Sequence, residues 1–274
     1  MRTPPLPSGT TREKNRTVHA ASDQGLVPFI TQREGEEAAP DNLLIHQHAA
    51  GPRLYYGDED PRDRPLRGIL WARCGFNPVD ERQMPTGVPQ WKLMHPYRQM
   101  LTMQALHCQV CARPARTPLG FIFLTGPRDE DPTRAEIFTN QPPVCARHAR
   151  AAAALCPHLE KNPMVFLARS APLYGVHGVL YGLNAQAQVE VVAQPGHALP
   201  FAHPNLPTLL ASQLIRRLSS FRVLDMNELL QELADPAAQG SARDPAAHRF
   251  SPANHAGTAA LSTQDPDVAA PQRP

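Results

Sequence analysis

Two short pairs of cysteine and histidine residues constrain this chain more than any other feature of its sequence. Cys108-Gln-Val-Cys111 is a CxxC pair, and Cys145-Ala-Arg-His148 is a CxxH pair, with 33 residues between the two pairs. Two ligands three positions apart can bind one ion from a tight turn or from the first turn of a helix. Two such pairs supply the four ligands of a tetrahedral Zn²⁺ site. We therefore predict one zinc ion per chain, bound by Cys108, Cys111, Cys145 and His148.

The segments around the two pairs predict a helix, a β-hairpin and a second helix, in that order. Pro96 suits the first turn of a helix because its missing N–H would be unpaired there, and apolar residues follow at helical spacing. The segments Gly120–Leu124 and Ala135–Thr139 are strand-like and enclose a charged loop, so we predict that they pair as a hairpin. Cys145–Leu155 is rich in Ala, which favours a short helix beginning at the second pair.

The order of these elements resembles a treble-clef zinc finger. In that motif a knuckle supplies two ligands, a hairpin follows, and a helix supplies the last two ligands. The resemblance covers Leu106–Leu159, where the first pair matches the knuckle and the second pair matches the helix. Because protein side chains fill all four positions, the site is expected to be closed and structural, without the open position that a catalytic zinc ion needs.

Two other interpretations of the first cysteine pair remain open. A redox-active CxxC is expected to follow a strand and to precede a helix. Here a helix is predicted before Cys108, and Arg113-Pro114 follows Cys111, which favours metal binding. The other interpretation is a set of buried free thiols that pack as small apolar side chains.

A third pair, Cys156-Pro-His158, lies at the end of the predicted Ala-rich helix. A continuous helix rises about 1.5 Å per residue, which places Cys156 roughly 16 Å from Cys145, too far to share one ion. We therefore expect Cys156 to be a small core residue, with a second metal site that includes His158 as the alternative. His107 borders the first pair and competes for the position that we assign to His148.

The composition divides the chain into one folded part and two flexible ends. It contains 31 Pro in 274 residues and only 6% aromatic residues. Pro-rich polar stretches bury too little apolar surface to offset the entropy of ordering. We predict that residues 1–50 are mostly disordered, with one short segment that docks, and that residues 235–274 are a disordered tail. Residues 51–234 are expected to form a single zinc-containing domain.

The rest of the folded part predicts a small mixed αβ region packed against the zinc module, in the α+β class. The expected strands are Gly68–Arg73, Met164–Arg169, Val176–Leu183, Val189–Ala193 and Arg222–Leu224. Leucines recur at every fourth position within Pro207–Ser219, which predicts a helix. Asp225 is placed to cap a last helix over Met226–Leu233.

The charge pattern predicts a basic surface in one part of the chain. The formal net charge is only +2, too small to imply a polyanionic partner for the chain as a whole. Residues 62–116, however, carry nine Arg and Lys residues against three acidic ones, a net charge of +6. Ordinary solvated charges are the alternative interpretation of this segment.

The expected compartment is the cytosol. Met1–Arg16 is polar and Pro-rich, with no apolar run resembling a signal sequence. No stretch approaches the roughly 18–20 apolar residues of a membrane span, so no membrane association is expected. In a reducing compartment, closely spaced cysteines are more often metal ligands or catalytic groups than disulfides.

A wider resemblance rests on four short stretches of the chain. They are Pro89-Gln-Trp-Lys-Leu-Met-His-Pro-Tyr-Arg-Gln-Met, Leu106-His-Cys-Gln-Val-Cys, Pro142-Pro-Val-Cys and Cys156-Pro-His-Leu. From about Arg53 to Leu230 the sequence resembles a group of uncharacterised actinobacterial zinc-binding proteins. Many of those have Cys where this chain has His148, an exchange that keeps a zinc ligand. The resemblance implies the metal site and no activity.

These observations favour a cytosolic zinc-stabilised interaction module, with a DNA-binding or regulatory role. The partner would be a protein or a nucleic acid that contacts the basic surface of residues 62–116. Six arginines there are candidates to contact phosphates: Arg64, Arg67, Arg73, Arg98, Arg113 and Arg116. One alternative is an enzyme with a site between Tyr174–Tyr181 and the predicted helix Pro207–Ser219. Another is an accessory protein in which zinc only stabilises the fold.

Overall fold

The computed structural model describes residues 26–38, 42–126, 131–155, 159 and 163–235. Our predictions for residues 1–25 and 236–274, and for Cys156 and His158, lie outside these described residues. The strands, in chain order, are β1 (Thr31–Arg33), β2 (Leu43–His48), β3 (Gly51–Tyr56), β4 (Pro89–Met94), β5 (Phe121–Thr125), β6 (Ile137–Thr139), β7 (Met164–Ser170), β8 (Leu173–Leu183), β9 (Val189–Ala193), β10 (Leu199–Pro200), β11 (Leu209–Leu218) and β12 (Ser220–Leu224). The α-helices are α1 (Pro96–Ala105), α2 (Ala149–Leu155) and α3 (Met226–Ala234), and short 3-10 turns cover Pro61–Asp63, Ala146–His148 and Leu206–Thr208.

The described strands pair in antiparallel fashion and form two larger sheets and two small ones. The largest sheet has the order β10–β8–β11–β6, and β9 also pairs with β8. A three-stranded sheet has the order β12–β7–β5, while β1 pairs with β4 and β2 pairs with β3. The fold is therefore α+β and dominated by strands, which confirms the predicted class. None of the helices in the described part of the chain is long and apolar enough to cross a membrane.

The helices α1 and α3 begin where the sequence carries start signals. Pro96 opens α1 directly after His95, whose imidazole accepts the backbone N–H of Arg98 at 3.5 Å. Asp225 precedes α3 and forms a capping box with Glu228, in which each side chain accepts a backbone N–H of the other residue. Both helices confirm the predictions made from these residues.

The prediction of a helix over Pro207–Ser219 is wrong, because most of this segment is the strand β11. It pairs with β8 along one edge and with β6 along the other. Leucines four positions apart share one face of a helix, but four is an even number, so they share one face of a strand as well. Leu214 and Leu218 are both fully buried in β11. The leucine spacing was therefore compatible with both structures.

The predicted hairpin of Gly120–Leu124 with Ala135–Thr139 does not form. Both segments contain strands, but β5 pairs with β7 and β6 pairs with β11. β5 contacts instead the residues before the second metal pair, where the Val144 N–H donates to the Ile122 carbonyl at 2.8 Å. Strands that follow each other along a chain are often paired. Here β5 and β6 each pair instead with a strand that lies further along the chain.

The predicted strand Gly68–Arg73 is reduced to isolated bridges. Trp71 forms a parallel bridge with Ala211 of β11. On either side, the Ala72 N–H donates to the Ala211 carbonyl at 2.7 Å, and the Ala211 N–H donates to the Leu70 carbonyl at 2.9 Å. The Trp71 side chain is fully buried. The apolar character of this stretch thus reflects burial against the large sheet rather than a regular strand.

Residues 26–38 and 42–50 belong to the folded part, within the region 1–50 that we predict to be mostly disordered with one docking segment. Ile30 is buried, and Arg33 and Glu36 are almost completely inaccessible to solvent. β2 pairs with β3 along its whole length, so the expected boundary at residue 51 falls inside a hairpin. The polar composition predicts disorder here because a charged residue that is buried in an ion pair cannot be told from a solvent-exposed one by sequence alone.

One apolar cluster lies beneath the two predicted metal pairs. It combines residues of the first pair, of β5, of β7, of α2 and of α3. Its fully buried members include Val110, Ile122, Val144 and Leu229. The metal pairs are therefore attached to the part of the core where several distant segments of the chain meet.

Candidate metal centre

The first pair lies in a tight turn that follows directly from α1. Leu106 ends the helix with left-handed backbone angles, at a φ of 54°. The Cys108 N–H then donates to the Arg113 carbonyl at 2.7 Å, and the Ala115 N–H donates to the Leu106 carbonyl at 3.1 Å. Within this turn, the Ala112 N–H donates to the Cys108 carbonyl at 2.8 Å, and Ala112 itself has a φ of 54°. The backbone is folded as a knuckle that presents both cysteine side chains to one side.

The second pair opens the helical segment that becomes α2. Cys145 is the residue before the 3-10 turn Ala146–His148, and the His148 N–H donates to the Cys145 carbonyl at 2.9 Å. The start of a helical segment favours a thiolate, because the backbone N–H groups there are unpaired. The two pairs are joined by the Gln109 N–H, which donates to the Pro143 carbonyl at 2.9 Å.

The structure brings the four predicted ligands together. One ligand atom from each of Cys108, Cys111, Cys145 and His148 lies within 4.8 Å of all the others. The His148 Nδ1 is 3.3 Å from the Cys145 Sγ and 3.9 Å from the Cys108 Sγ. Zn–S bonds of about 2.3 Å in a tetrahedron correspond to sulfur–sulfur distances of roughly 3.8 Å. The four side chains are thus close enough to bind a metal ion, with a ligand set compatible with zinc.

Two of the thiols in the cluster are electrostatically coupled. A hydrogen bond between Cys108 and Cys145, together with burial, raises the pKa of Cys108. The same hydrogen bond, aided by His148, lowers the pKa of Cys145 to about 5. Of these two thiols, Cys145 therefore ionises before Cys108. A metal ion that binds all the sulfurs as thiolates would have to displace the proton of Cys108.

Comparisons with known proteins give no relative for this chain. No protein-family model, curated protein or solved structure matches it. The metal centre is therefore assigned from its geometry and ligand chemistry.

The N-terminal segment packs directly on the knuckle; the sequence predicts a docking segment in this region but not where it docks. The Phe29 N–H donates to the Val110 carbonyl at 3.1 Å, and the Ile30 N–H donates to the Gln109 carbonyl at 3.2 Å. Both acceptors lie between the two cysteines of the first pair. The short apolar stretch Leu26–Ile30 was the one available signal, because it is an apolar island in an otherwise polar region.

Two other cysteine and histidine side chains of the described residues, His107 and Cys74, take no part in the cluster. His107 forms a backbone bridge with Pro114 across the knuckle. The Cys74 thiol donates to the Glu36 carbonyl at 2.8 Å, and burial raises its pKa to about 11. Cys74 is therefore a packed, protonated thiol.

Three of the six arginines in the predicted basic surface are already paired with acidic groups. The contacts are Arg98–Glu36 at 2.5 Å, Arg64–Glu59 at 2.7 Å and Arg73–Asp63 at 2.6 Å. Only 4% of the Arg98 side chain and 10% of the Arg64 side chain are exposed. The other three, Arg67, Arg113 and Arg116, are exposed. The acidic partners Glu36 and Glu59 lie outside residues 62–116, so charge counting within that window overestimated the positive surface.

A cleft of about 520 Å³ borders the knuckle. Gln109 and Val110, from between the first two cysteines, form part of its wall, and Trp91 and Leu93 of β4 and Phe138 of β6 form another part. These three apolar side chains are 38–51% exposed. Large exposed aromatic and aliphatic groups around a concave surface are typical of protein interaction sites.

The site of the alternative enzyme hypothesis is not where the sequence suggested. It was expected between Tyr174–Tyr181 and the segment Pro207–Ser219. These segments are largely the strands β8 and β11, which are hydrogen-bonded to each other. Paired strands of one sheet are hydrogen-bonded side by side, so these two segments do not enclose a cleft between them.

Proposed function

We propose that this chain is a cytosolic interaction module stabilised by one structural zinc ion, bound by Cys108, Cys111, Cys145 and His148. The observation that carries the proposal is the position of these four side chains over the apolar cluster beneath them. Four protein ligands satisfy tetrahedral zinc. An ion at this point would connect the knuckle, the start of the α2 segment and the core strands.

The proposed ion would act on the fold rather than on a substrate. Cys108 is fully buried, and the other three ligands are partly buried. The Phe29 and Ile30 backbones cover the knuckle from outside its turn. A knuckle followed later by a ligand pair at the start of a helix supports a relationship with treble-clef zinc fingers, in which the hairpin would be replaced by the contact of Val144 with β5.

A protein is the partner that we favour. The cleft beside the knuckle exposes Trp91, Leu93 and Phe138, and aromatic side chains of this kind contribute much of the binding energy in protein interfaces. The ion pairs of Arg64, Arg73 and Arg98 reduce the charge available to phosphates. A regulatory role is compatible with such a module, as is an accessory role beside another protein.

Removal of the metal tests the structural role. Zinc-loaded protein treated with excess EDTA should lose its near-ultraviolet circular dichroism and its cooperative melting, and both should return when zinc is added back. A metal-free chain that keeps the same melting curve would contradict a structural ion.

Substitution of the cleft tests the interaction role. We expect a Trp91→Ala/Leu93→Ala variant to lose protein partners that the zinc-loaded wild type retains in cross-linking from cell extract. The matched control is Val191→Ala/Val192→Ala, because these valines of β9 are 57% and 56% exposed and lie outside the cleft. Equal recovery with all three proteins would exclude the cleft as the interaction site.

DNA binding is the second candidate, favoured by Arg113 and Arg116. Both are exposed next to the knuckle, and the described residues offer neither of them an acidic partner. A mobility-shift assay with duplex DNA over a range of salt concentrations separates the two proposals. Binding that weakens with salt and with Arg113→Gln/Arg116→Gln would support DNA, while absence of binding at low salt would exclude it.

A further inference from the structure

A second pocket, away from the cysteine cluster, has a volume of about 600 Å³. It lies between the turn joining β2 to β3, the segment around Gly68, and the chain from Phe201 to Pro207. Its apolar walls are formed by Ile69, Leu206 and Phe201. This volume lies within the range of about 300–1,000 Å³ that is typical of small-molecule sites.

The polar groups that line this pocket are all neutral or positively charged. They include Arg53, Arg67, His48 and His203, and none of the described lining residues is acidic. This contrasts with Arg64 and Arg73 in the same part of the chain, which are paired with carboxylates. The two pocket arginines have no carboxylate within ion-pair distance among the described residues. Their guanidinium groups are therefore available to an anionic ligand.

Aromatic rings hold the two arginines in place. The Arg67 guanidinium lies 4.3 Å from the centroid of the Phe201 ring, and the Arg53 guanidinium lies 5.4 Å from the centroid of Tyr55. The Tyr55 hydroxyl is also 2.6 Å from the His48 Nε2. The His203 Nδ1 accepts the Asn205 N–H at 3.2 Å, which leaves its Nε2 as a donor in the neutral ring. These contacts restrict the donors before any ligand binds, which reduces the entropy cost of binding.

The backbone at Arg67 is left-handed because Arg67 and Gly68 are the central residues of a tight turn, which the Ile69 N–H closes by donating to the Leu66 carbonyl at 3.0 Å. Its φ is 51°, a left-handed conformation that is unfavourable for a residue with a Cβ. The next residue, Gly68, also has a positive φ of 70°, and a Cβ built there would meet no atom within 4 Å. Strained residues of this kind are concentrated at functional sites. Arg67 is thus kept where glycine would be more stable, over the pocket.

We propose that this pocket binds a small organic phosphate of mononucleotide size, with the phosphate on Arg53 and Arg67 and the planar body against the apolar wall of Ile69 and Leu206. Guanidinium groups bind phosphate through two parallel hydrogen bonds, and a pair of them matches a dianion. The histidines add donors at the rim. The site is independent of the metal centre, so the proposal stands or falls separately from the structural zinc ion.

The test is calorimetric titration of the zinc-loaded full chain with AMP, adenosine and inorganic phosphate. We expect saturable binding of AMP, binding of adenosine at least tenfold weaker, and binding of phosphate weaker than AMP. The variants Arg53→Gln and Arg67→Gln should each weaken AMP binding at least tenfold. Arg82→Gln, which removes an exposed arginine outside the pocket, should leave AMP binding unchanged.

A further variant, Arg67→Gly, separates binding from folding. It relieves the left-handed strain, so its melting temperature should rise by about 2–4 °C, while AMP binding should fall at least tenfold. Three outcomes would overturn the proposal: no saturable binding of AMP, equal affinity for AMP and phosphate, or AMP binding that survives both Arg53→Gln and Arg67→Gly.

Discussion

Two polar centres hold the N-terminal segment against the rest of the fold. They differ in whether the chain itself supplies the partners of their polar groups. The first is Glu36, which is fully buried. Its carboxylate accepts two hydrogen bonds from the Arg98 guanidinium at 2.5 and 2.6 Å, one from the Arg33 N–H at 2.7 Å and one from the Asn77 N–H at 3.1 Å. The Arg98 Nε is the one donor of that side chain without a partner among the described residues. The chain itself therefore supplies almost all of the hydrogen-bond donors and acceptors of the Glu36 centre.

The second centre is the cysteine cluster, in which the chain supplies four ligand side chains but not the ion that they would share. Cys108, Cys111, Cys145 and His148 all offer lone pairs to the same point, and thiols are weak hydrogen-bond donors. Four such groups gain more from one shared cation than from each other. The Glu36 centre is thus intrinsic to the polypeptide, and under the proposed function the cysteine centre is conditional on a metal ion. The two centres should therefore respond differently to substitution, to acid and to chelators.

The largest effect is expected from Cys108→Ser/Cys111→Ser. Loss of two ligands should abolish zinc binding, which in small structural sites contributes on the order of 10 kcal/mol or more to folding. The variant should therefore lack both metal and cooperative unfolding, as measured by elemental analysis and by thermal melting. Cys74→Ser is the matched control, because it removes a thiol outside the cluster and keeps the donor to the Glu36 carbonyl. A metal-free double variant that melts like the wild type would show that the cysteine centre does not depend on a metal ion.

The next largest effect is expected at the intrinsic centre. Glu36→Gln leaves Arg98 buried without its counter-charge, and breaking a buried ion pair in this way costs about 3–5 kcal/mol of unfolding free energy. Urea denaturation should show this loss while the zinc content stays unchanged. The neighbouring exposed residue offers a control, Glu37→Gln, with an expected change within about 0.5 kcal/mol. A loss of zinc from Glu36→Gln would show that the two centres are not separate.

A smaller effect of pH is expected at His95, which lies beside the intrinsic centre. Burial and the nearby positive charge of Arg98 lower its pKa to about 4, and its Nε2 is hydrogen-bonded to the Gly75 carbonyl at 2.9 Å. In the unfolded chain a histidine takes up its proton near pH 6.5. His95 therefore favours folding fully above pH 6.5, and this contribution falls as the pH decreases towards 4.

The matching variant is His95→Asn, which keeps a side chain able to cap α1. Between pH 7.5 and 5 the unfolding free energy of the wild type should fall by about 2 kcal/mol more than that of the variant. Acid release of zinc affects both proteins, so the difference between their pH profiles isolates the histidine. Parallel profiles would show that His95 is not buried in its neutral form.

The smallest effect is expected at Ala112, in the turn of the knuckle. Ala112 adopts a φ of 54°, so Ala112→Gly should relieve strain and raise the unfolding free energy of the zinc-loaded protein by about 1 kcal/mol. In α2, Ala153→Gly should instead lower it by about 1 kcal/mol, because glycine destabilises a helix. A loss of stability from Ala112→Gly would contradict the described turn.

The sequence was informative about the conditional centre because its ligands are close together in the chain and chemically distinctive. Cysteines three apart identify a knuckle without any knowledge of the rest of the fold. The starts of α1 and α3 were also local signals, set by Pro96 and Asp225. The two helix starts were predicted correctly because the interactions that create them span only three or four residues.

Long-range contacts were the ones that the sequence did not predict. The ion pair of Glu36 with Arg98 joins residues 62 positions apart, and neither residue carries a local sign of burial. The β-strand β11 was mistaken for a helix because its leucine spacing satisfies both structures, and the pairing of β5 with β7 cannot be seen within either segment. Packing between distant segments, and not the local sequence pattern, determines which strands and which charged side chains pair.

The most direct test of the central claim is X-ray absorption at the zinc edge of the purified chain, combined with its zinc content. We predict about one zinc ion per chain, with three sulfur ligands at about 2.3 Å and one nitrogen ligand at about 2.0 Å. Protein that is metal-free as purified, binds no added zinc and still unfolds cooperatively would contradict the account.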